Sequence, residues 1–465
     1  MKPLALLILL SSLLIGASSF SAQPNLILIL ADDLGYADLG CYGNTFNETP
    51  NIDRLAAEGM RFTQFYAGPV CSPTRCNLQS GQDQARFGIT QHIPGHKRPF
   101  ARLSDPVVPQ QMPLEVETFA ECLGTAGYAT GYFGKWHLGG TGFSPADQGW
   151  QTAEEIKGNT QPAADKGGLP QRTTDVLARK AGEFIHAHKD KPFLLQISHG
   201  AVHIPLSTTP ELKKKYDHKP PMPGYPSQPE YAGLTEELDQ SVGRVVEAVE
   251  KAGIADNTLI LFLSDNGGLE HEQGGRVVTS NKPLRGEKGT LYEGGIRIPA
   301  IARWPGKVPA GSQCSTPLIT MDVLPTFVAL GGAVMPARQP CDGLSLAAVL
   351  RDPVSTLMRD TLYWHLPHYH HSTPASAMRQ GDWKLIEFFE DGSLELYHLK
   401  DDPGEQKNLV GTESTRTKSM HAALQAWRKQ VKALMPVPNP NYDPAKADQL
   451  GKGGEEGGRN RRKKQ

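Results

Sequence analysis

The sequence predicts an α/β fold, with a large, mainly parallel sheet flanked by helices and a smaller C-terminal antiparallel α+β subdomain. Two observations support this prediction. Up to about residue 355, short apolar segments alternate with segments of helical spacing, which is typical of parallel sheets with crossover helices. After that point, short segments of strand character follow one another with turns between them, which is typical of antiparallel sheets.

The apolar segments of the first part are continuous rather than alternating, so we expect strands that are buried on both faces. These strands are predicted over residues 25–30, 128–133, 192–198 and 258–263. Helices are predicted over residues 113–126, 173–188 (with Thr174 as the expected cap) and 234–252. In the later part, strands are predicted around 363–364, 383–386 and 395–397, with a turn at 391–392 and a helix over 415–434.

Polar side chains that can perform chemistry follow four of the predicted strands. They are Asp32 and Asp33, then Lys135 and His137, then His203 a few residues after its strand, and finally Asp265 with Asn266. Open sheets of this kind bind ligands beyond the carboxyl ends of their strands. The sequence therefore predicts that these groups share one crevice at the edge of the sheet.

The two ends of the chain differ in composition from the rest. Residues 1–22 contain Lys2, an apolar run over 4–15 and then small residues, which predicts a cleaved signal peptide and export to the periplasm or the outside. The run is shorter than the ~20 apolar residues that a transmembrane helix needs, so a membrane anchor is the less favoured interpretation. Residues 441–465 become Gly-rich and then basic, which predicts a disordered tail.

Charge and cysteine content exclude some classes of function. The 48 Lys and Arg balance the 49 Asp and Glu, so no overall positive field attracts nucleic acid or acidic membranes. The six cysteines, at 41, 71, 76, 122, 314 and 341, are too sparse for a disulfide scaffold. If the chain is exported, Cys314 and Cys341 are the pair that we expect to form a bridge.

A series of short motifs spans most of the chain. Their order is 31–35 (ADDLG), 49–55 (TPNIDRL), 71–75 (CSPTR) with Leu78 and Ser80-Gly81, 134–139 (GKWHLG), 264–267 (SDNG), 284–295 (LRGEKGTLYEGG) and 383–385 (WKL). In this order the chain resembles the type I sulfatases, the cysteine-type, formylglycine-dependent branch of the alkaline phosphatase superfamily. The resemblance implies a catalytic domain over 23–355 and an antiparallel subdomain over 356–440.

The resemblance also implies a modified nucleophile and a metal ion. Cys71 would be converted to formylglycine by a formylglycine-generating enzyme, and one Ca²⁺ would be bound by Asp32, Asp33, Asp265, Asn266 and an oxygen of residue 71. The residues themselves agree, because carboxylate and amide oxygens suit Ca²⁺ or Mg²⁺ better than zinc. A hydrated aldehyde offers one hydroxyl to attack sulfur and a second whose later deprotonation expels sulfate. If Cys71 stayed unmodified, we would expect a structural thiol or a bridge to Cys76.

Three cations and two histidines are predicted around this nucleophile. By resemblance, Arg75 positions residue 71, while Lys135 and Lys288 contact the sulfate, where cations stabilise the charge that develops during S–O cleavage. Imidazole titrates near neutral pH, so His137 and His203 are the acid–base candidates. The family pattern places His203 at the leaving oxygen and His137 beside residue 71. His199 competes for the first role, and Asp265 is a further candidate to take the proton of the nucleophile.

Two positions depart from the family pattern. Ser80 stands where Thr is usual, and Gln82 stands where a basic residue is common after the Gly. Both lie in the stretch that the modifying enzyme reads while the chain is extended. Incomplete conversion of Cys71 is therefore one expected outcome.

A histidine-rich stretch at 365–371 (HLPHYHH) suggests substrate contacts from the smaller subdomain. We predict that His365, His368 and Arg379 join Lys135, His203 and Lys288 in binding substrate, with a surface loop or adventitious metal site as the alternative. A sulfated polysaccharide or glycosaminoglycan fragment is the expected substrate. The alternative functions are a phosphonate or phosphate ester hydrolase of the same superfamily, and a catalytically silent protein that binds sulfated glycans.

Overall fold

The computed structural model describes residues 23–161 and 171–451. The predicted signal peptide and the last part of the basic tail, 452–465, lie outside the described residues. In the described ranges, no helix combines the length and the apolar character needed to cross a bilayer.

The large sheet forms the centre of the molecule. The strands of the described residues are β1 Asn25–Ala31, β2 Met60–Tyr66, β3 Leu103–Ser104, β4 Ala129–Gly134, β5 Thr152–Glu155, β6 Thr160–Gln161, β7 Gln171–Arg172, β8 Phe193–Ser198, β9 Thr258–Ser264, β10 Glu272–Gln273, β11 Arg276–Val277, β12 Arg297–Arg303, β13 Ser312–Cys314, β14 Leu318–Ile319, β15 Thr361–Leu366, β16 Ala375–Gln380, β17 Trp383–Phe388, β18 Leu394–His398 and β19 Val437–Pro438. In the described part of the chain the large sheet has the order β13-β2-β12-β9-β1-β8-β4-β5, with β14 also beside β2. All its pairs are parallel except those of β12, which runs antiparallel to both neighbours. The predicted fold class is confirmed.

Helices cover both faces of this sheet. The helices of the described residues are α1 Pro50–Ala57, α2 Cys71–Ser80, α3 Phe119–Thr125, α4 Thr173–His188, α5 Pro210–Asp217, α6 Pro229–Lys251, α7 Glu293–Ile296, α8 Val323–Gly331, α9 Ala347–Arg351 and α10 Ser414–Gln430. Alternate residues of β1 enter two different cores. Leu26, Leu28 and Leu30 pack with α2, α3 and α8, whereas Ile27 and Ile29 pack with α1, α4 and α6. A strand covered on both sides has no polar face, which is why its sequence shows no alternation.

The central strands bring the predicted chemistry to one edge. β9, β1, β8 and β4 are adjacent and parallel, so their carboxyl ends lie side by side. Asp32 follows β1, Asp265 follows β9, Lys135 follows β4, and the segment leading to His203 follows β8. The crevice expected from the alternating pattern therefore exists.

Two predicted helix starts, those of α3 and α6, and the predicted cap of α4 differ from the structure. α3 begins at Phe119 rather than at 113, because Thr118 and Glu121 form a reciprocal capping box there. α4 begins at Thr173, so Thr174 lies inside the helix and the cap position belongs to Arg172, whose side chain makes no capping bond. α6 begins at Pro229 rather than at 234, with Pro229 in its first turn. The other predicted helix and the strands agree with the structure to within a few residues at their ends.

The C-terminal subdomain is a four-stranded antiparallel sheet, β15-β16-β17-β18, in the described part of the chain. One face packs on α10 through Met378, Leu385 and Leu424. The other face packs on the large domain, where Trp364 lies against Tyr66 with ring centroids 5.3 Å apart. The sheet therefore has a core on each side, and it is joined to the catalytic part by a buried interface.

A buried ion network crosses this interface. Lys384 Nζ lies 3.0 Å from Glu293 Oε1 and 2.9 Å from Glu405 Oε1, and none of these three side chains is exposed to solvent. Glu293 also accepts a hydrogen bond from Tyr66 at 2.7 Å. Because Glu293 begins α7, directly after the loop that contains Lys288, the docked subdomain supports one wall of the crevice.

The segment after α10 returns to the large domain. β19 pairs with β3, Asp443 N–H donates to the Phe100 carbonyl at 3.1 Å, and Gly451 N–H donates to the Lys97 carbonyl at 2.8 Å. Residues 441–451 are thus a folded part of the molecule, and the prediction of disorder is wrong for them; the rest of the predicted tail lies outside the described residues.

All six cysteines are free thiols in the structure. The bridge expected between Cys314 and Cys341 is absent, since Cys314 is buried at the end of β13 while Cys341 is exposed and its Sγ faces the Gly343 carbonyl. Cys71 and Cys76 are likewise unbridged.

Candidate active site

Three carboxylates converge at the carboxyl ends of β1 and β9. Asp32, Asp33 and Asp265 are all buried, with at most 2% of each residue exposed. Asp33 N–H donates to Asp265 Oδ1 at 3.2 Å, and Asn266 Nδ2 donates to Asp33 Oδ1 at 2.7 Å. Asp33 has a positive φ of 61°, which turns the backbone sharply and presents two consecutive carboxylates to the same point.

Buried lysines balance part of this charge. Lys135 Nζ donates to Asp32 Oδ2 at 2.5 Å, and Lys288 Nζ donates to Asp33 Oδ2 at 2.7 Å. Burial raises the pKa of Asp32, but Lys135 and the other nearby cations outweigh it and hold that pKa below its usual value. Burial and the neighbouring Asp32 raise the pKa of Asp265 to about 7. Together with Arg75, which pairs with Asp265, the two lysines give each carboxylate of the cluster one cationic partner.

The donor set of this cluster fits a hard divalent cation. Asp32 Oδ1 and Asn266 Oδ1 are buried and have no hydrogen-bond partner among the described residues. Atoms of Asp32, Cys71 and Asp265 lie within 4.8 Å of one another, as do atoms of Asp32, Asp33 and His203. Unpaired buried oxygens are costly, and a cation among them would satisfy both atoms at once. Oxygen ligands of this type favour Ca²⁺ or Mg²⁺.

Residue 71 begins α2 and points into the same cluster. Its Sγ lies 3.2 Å from His137 Nδ1, and 2% of the residue is exposed. Burial raises the pKa of the Cys71 thiol above its ordinary value. An unmodified Cys71 is therefore held in the neutral form, which is a poor nucleophile and a poor ligand for a hard cation.

Arg75 lies one helical turn after Cys71 and ties α2 to the carboxylates. Its guanidinium donates to Asp265 Oδ2 from Nε at 3.1 Å and from Nη2 at 2.8 Å, and its Nη1 donates to the Lys135 carbonyl at 2.5 Å. The i,i+4 spacing places both side chains on one face of the helix. Arg75 thus fixes the position of residue 71 relative to Asp265 and Lys135.

The two predicted acid–base histidines both reach the site. His137 donates from Nε2 to the Ile93 carbonyl, so its Nδ1 carries a lone pair toward residue 71. Burial lowers the pKa of His137 to about 3. His203 Nε2 lies 3.5 Å from Asp33 Oδ2. Burial, together with the positive charge of Lys288, lowers the pKa of His203. His199 is fully buried beside Ser241 and does not line the cavity.

A large cavity opens above the cluster. Its volume is about 1730 Å³, larger than the ~300–1,000 Å³ typical of sites for drug-sized ligands. Among its lining residues are six predicted site residues, namely Asp32, Cys71, Lys135, His137, His203 and Lys288. Asp33, Arg75, Asp265 and Asn266 lie buried beneath this surface.

The three predicted sugar contacts of the subdomain lie elsewhere, and their assignment to the cavity wall is wrong. His365 is fully buried in β15, where its ring contacts Ser376 Oγ and the Leu434 carbonyl. His368 Nε2 faces Thr90 Oγ1 at 2.8 Å, and Arg379 donates to Tyr66 in the domain interface. All three side chains are used in packing, so none of them lines the cavity.

Other histidines take their place at the wall. His92, His96, His370 and His371 line the cavity, together with residues 445–446 and 448–450 of the returning C-terminal segment. The histidine-rich stretch at 365–371 correctly indicated this region, although the residues of the stretch that line the cavity are its last two, His370 and His371. His92 and His96 lie outside the family motifs. Their spacing of four residues is the feature of the sequence that could have indicated them.

Comparison with known proteins agrees with this geometry. The family model described as Sulfatase matches residues 24–333, two thirds of the chain, and this range contains Cys71 and the whole carboxylate cluster. The chain belongs to the sulfatase family. A second model, described as N-sulphoglucosamine sulphohydrolase, C-terminal, matches residues 286–431 of this sulfatase.

Curated relatives cover most of the sulfatase. It is 33% identical to a sulfatase of Formosa agariphila, with 87% of this chain and 88% of that protein covered. It is 32% identical to human arylsulfatase A, with 86% of each chain covered, and 30% identical to human N-acetylgalactosamine-6-sulfatase, with 91% and 88% covered. These relatives place the chain among the sulfuric ester hydrolases of the alkaline phosphatase superfamily.

Solved structures share the fold of this sulfatase. The structure of Ps i-CgsB in complex with k-i-k-neocarrahexaose superposes with a TM-score of 0.75 at 29% identity, covering 87% of this chain and 92% of that one. The PsFucS1 sulfatase from Pseudoalteromonas sp. superposes with a TM-score of 0.70 at 25% identity, covering 89% and 92%.

Proposed function

We propose that this sulfatase removes sulfate from a sulfated carbohydrate, a polysaccharide or a glycosaminoglycan fragment, with residue 71 as the nucleophile. The observation that carries the proposal is the convergence of residue 71, Lys135 and Lys288 at the floor of one cavity. The volume of the cavity gives room for sugar residues beyond the one that carries the ester. Two of the similar proteins are named for sugar substrates or bound to an oligosaccharide, which supports this substrate class.

Two groups complete the proposed site. Formylglycine, formed from Cys71 by a maturation enzyme, would supply an oxygen nucleophile in place of the thiol. A Ca²⁺ ion bound by Asp32, Asp33, Asp265 and Asn266 would supply positive charge for the nucleophile and the sulfate. The unpaired oxygens of Asp32 and Asn266 support such an ion, and the neutral, buried thiol of Cys71 supports the modification.

The position of each side chain then indicates its role in the reaction. Lys135 and Lys288 bind and orient the sulfate, because their ammonium groups border both the cavity and the carboxylates. Arg75 positions residue 71 through its bonds to Asp265 and Lys135. His203 lines the cavity and donates a proton to the leaving sugar oxygen.

His137 contacts residue 71 directly and has a different role from His203. Its Nε2 proton is bound to the Ile93 carbonyl, so its Nδ1 lone pair is free to accept a proton from residue 71. Asp265 is the alternative acceptor, since one of its carboxylate oxygens lies within 4.8 Å of Cys71 Sγ.

Mass spectrometry of the peptide that contains residue 71 tests the nucleophile. We expect the mass of formylglycine in active protein that was coexpressed with a formylglycine-generating enzyme. Expression without that enzyme is the control, and it should give the cysteine mass and little turnover. Full activity in protein that retains the thiol would contradict the proposal.

Paired substrates test the reaction. Sulfate and phosphate monoesters with the same leaving group are compared, together with regiospecifically sulfated mono- and disaccharides. We expect faster sulfate release. Faster phosphate turnover would favour the phosphoesterase alternative, and tight glycan binding without release by fully modified protein would favour a silent binding protein.

Export is the remaining part of the proposal. The signal peptide predicted over residues 1–22 would bring the enzyme to extracellular or periplasmic glycans. Amino-terminal sequencing of the protein recovered outside the cytoplasm should begin near residue 23.

A further inference from the structure

Three imidazoles that do not belong to the carboxylate cluster meet at one point of the cavity wall. His92, His96 and His370 each offer a ring nitrogen, and the three nitrogens lie within 4.8 Å of one another. Their ring centroids are 4.5 Å apart for His92 and His96, 4.7 Å for His96 and His370, and 5.5 Å for His92 and His370. No carboxylate belongs to this group within the described residues.

Specific contacts hold the two segments that carry these rings. Gln91 Nε2 donates to the Tyr369 carbonyl at 3.3 Å, and Arg98 donates to the His370 carbonyl at 3.0 Å. The loop 91–98 is therefore bound to the residues on either side of the 369–370 peptide. The convergence of the histidines is a built feature of the fold rather than a chance meeting of surface side chains.

A glycine makes room for the third ring. A Cβ at Gly289 would lie 1.9 Å from His370 Nδ1, and Gly289 has a φ of +76°. Any side chain there would collide with the imidazole, and most residues would also be strained by that φ. The backbone beside Lys288 is thus shaped to accept His370.

The protonation of His92 suits a metal ligand. Its Nδ1 faces Gln91 Oε1 at 3.0 Å, and the bond from Gln91 Nε2 to Tyr369 fixes which end of the amide is the oxygen. Since an amide oxygen only accepts, His92 Nδ1 carries the proton and Nε2 presents a lone pair. This arrangement, with the second nitrogen donating to an oxygen, is common for histidines that bind metals.

We propose that His92, His96 and His370 form a second metal site, for a divalent transition-metal ion such as Zn²⁺. Imidazole nitrogens favour Zn²⁺, Cu²⁺ or Ni²⁺ over Ca²⁺, so this site and the oxygen cluster select different ions. The positive charge of the nearby Lys288 is balanced by its ion pair with Asp33.

The position of the site suggests what the ion would bind. All three histidines line the same cavity as residue 71. Three protein ligands would leave one coordination position of a four-coordinate ion open for a ligand from the cavity. Water or an anionic group of a bound glycan, a carboxylate or a second sulfate, would occupy it.

Zinc titration of the full chain tests the site without relying on catalysis. The protein carries Cys71→Ser, so that no thiol lies in the oxygen cluster, and excess Ca²⁺ saturates that cluster. Calorimetry should show one Zn²⁺ bound per chain. His96→Gln and His92→Gln should each weaken binding by at least about tenfold, and Gln91→Leu, which removes the acceptor for His92, by about 10- to 100-fold.

His271→Gln is the matched control, because His271 lines the same cavity outside the cluster. Its zinc affinity should equal that of the parent protein, and zinc should raise the melting temperature of both. If His92→Gln fails to fold, the partly exposed His96 still decides the question. Unchanged zinc affinity in His96→Gln, or no zinc uptake by the parent, would overturn the proposal, and either result leaves the proposed sulfatase function intact.

Discussion

His203 and His199 stand four residues apart, yet only one of them borders the cavity. We expect His203→Gln to lower kcat/KM for a sulfated sugar by about 10²–10⁴-fold, because a sugar alkoxide needs a proton as it leaves. An aryl sulfate with an acidic phenol needs less help, so its rate should fall much less. Steady-state kinetics on both substrates measures the difference.

His199→Asn is the control for this prediction. His199 is fully buried, so its replacement should affect the free energy of unfolding and should lower both rates by the same factor. If His199→Asn showed the dependence on leaving group and His203→Gln did not, the proton donor would be misassigned.

Asp83 illustrates a residue whose burial has a pH-dependent cost. It lies just after α2, accepts a hydrogen bond from Ala85 N–H at 2.9 Å and is 3% exposed. Burial, with Asp342 nearby, raises its pKa from 3.8 to about 7. The folded state keeps a proton that the unfolded chain loses at lower pH, so this residue makes stability fall as pH rises from about 4 to 7.

Asp83→Asn should remove that dependence while keeping an acceptor for Ala85. We expect the variant to gain stability relative to the wild type at pH 8 more than at pH 5, as measured by urea unfolding at both values. Asp190→Asn, the same change at an exposed carboxylate, should give no such difference. An equal effect of Asp83→Asn at the two pH values would refute the assigned cause.

At the scale of elements, the end of β4 is pressed against β8. A Cβ at Gly134 would lie 1.9 Å from the Ser198 carbonyl oxygen, and Gly134 has a φ of +116°. Lys135 follows directly, and its N–H donates to the same carbonyl at 2.8 Å. We expect Gly134→Ala to cost about 2–5 kcal/mol of unfolding free energy, from the strained φ and the collision together.

The same change should displace Lys135 and lower sulfatase kcat/KM at least about tenfold, since loss of roughly 1.4 kcal/mol of binding has that effect. Gly127→Ala is the matched control, because Gly127 has a φ of +90° but no atom within 4 Å of the added Cβ. It should cost only about 1–2 kcal/mol and leave activity unchanged. Equal losses in the two variants would show that the contact with Ser198 is unimportant.

The elements differ in how far their sequences predict them. β1 and β9 are predicted to within one residue, because a strand covered on both faces must be apolar throughout. The groups after them are also predicted, since parallel strands place their carboxyl ends together. By contrast, nothing in the sequence of β12 indicates that it runs antiparallel between β2 and β9.

The error at His365 has a similar cause. β15 is buried on both faces along its second half, from Trp364 to Leu366, so alternation cannot separate a side chain in the core from one at the cavity. His370 reaches the cavity only because Gly289, far away in sequence, leaves space for its ring. Contacts of this kind depend on how the two domains dock, and local patterns do not contain that information.

At the scale of the whole molecule, the docking of the subdomain depends on a buried charge. Lys384 is the shared partner of Glu293 and Glu405. Glu293 also pairs with Arg297 at 3.5 Å, whereas Glu405 has no second ion-pair partner in the described part of the chain, so loss of Lys384 would leave the Glu405 carboxylate unbalanced. The WKL motif of the sequence is thereby explained: its lysine joins the subdomain to α7, next to the loop of Lys288. The motif supports the site without lining the cavity.

The cavity wall also depends on contacts across almost the whole chain. Residues 437–451 lie along the loop 97–104, and Arg98 forms an ion pair with Asp448 at 3.2 Å. Lys446 and Gln449 of this segment line the cavity. Because Val437 and Leu450 remain about half exposed, the segment contributes more to the shape of the cleft than to the core.

Truncation after Met435 should therefore change substrate preference more than stability. For a sulfated oligosaccharide we expect KM to rise about tenfold, the equivalent of one or two lost hydrogen bonds, while turnover of a small aryl sulfate stays within about twofold. Truncation after Gly451 is the control that separates the wall from the basic residues 452–465. Suppose that truncation after Gly451 raised KM as much as truncation after Met435, and that added salt abolished this increase. The charge of residues 452–465, rather than the cavity wall, would then select the glycan. Equal losses on both substrates after the longer deletion would mean that the segment supports the catalytic groups instead of the sugar.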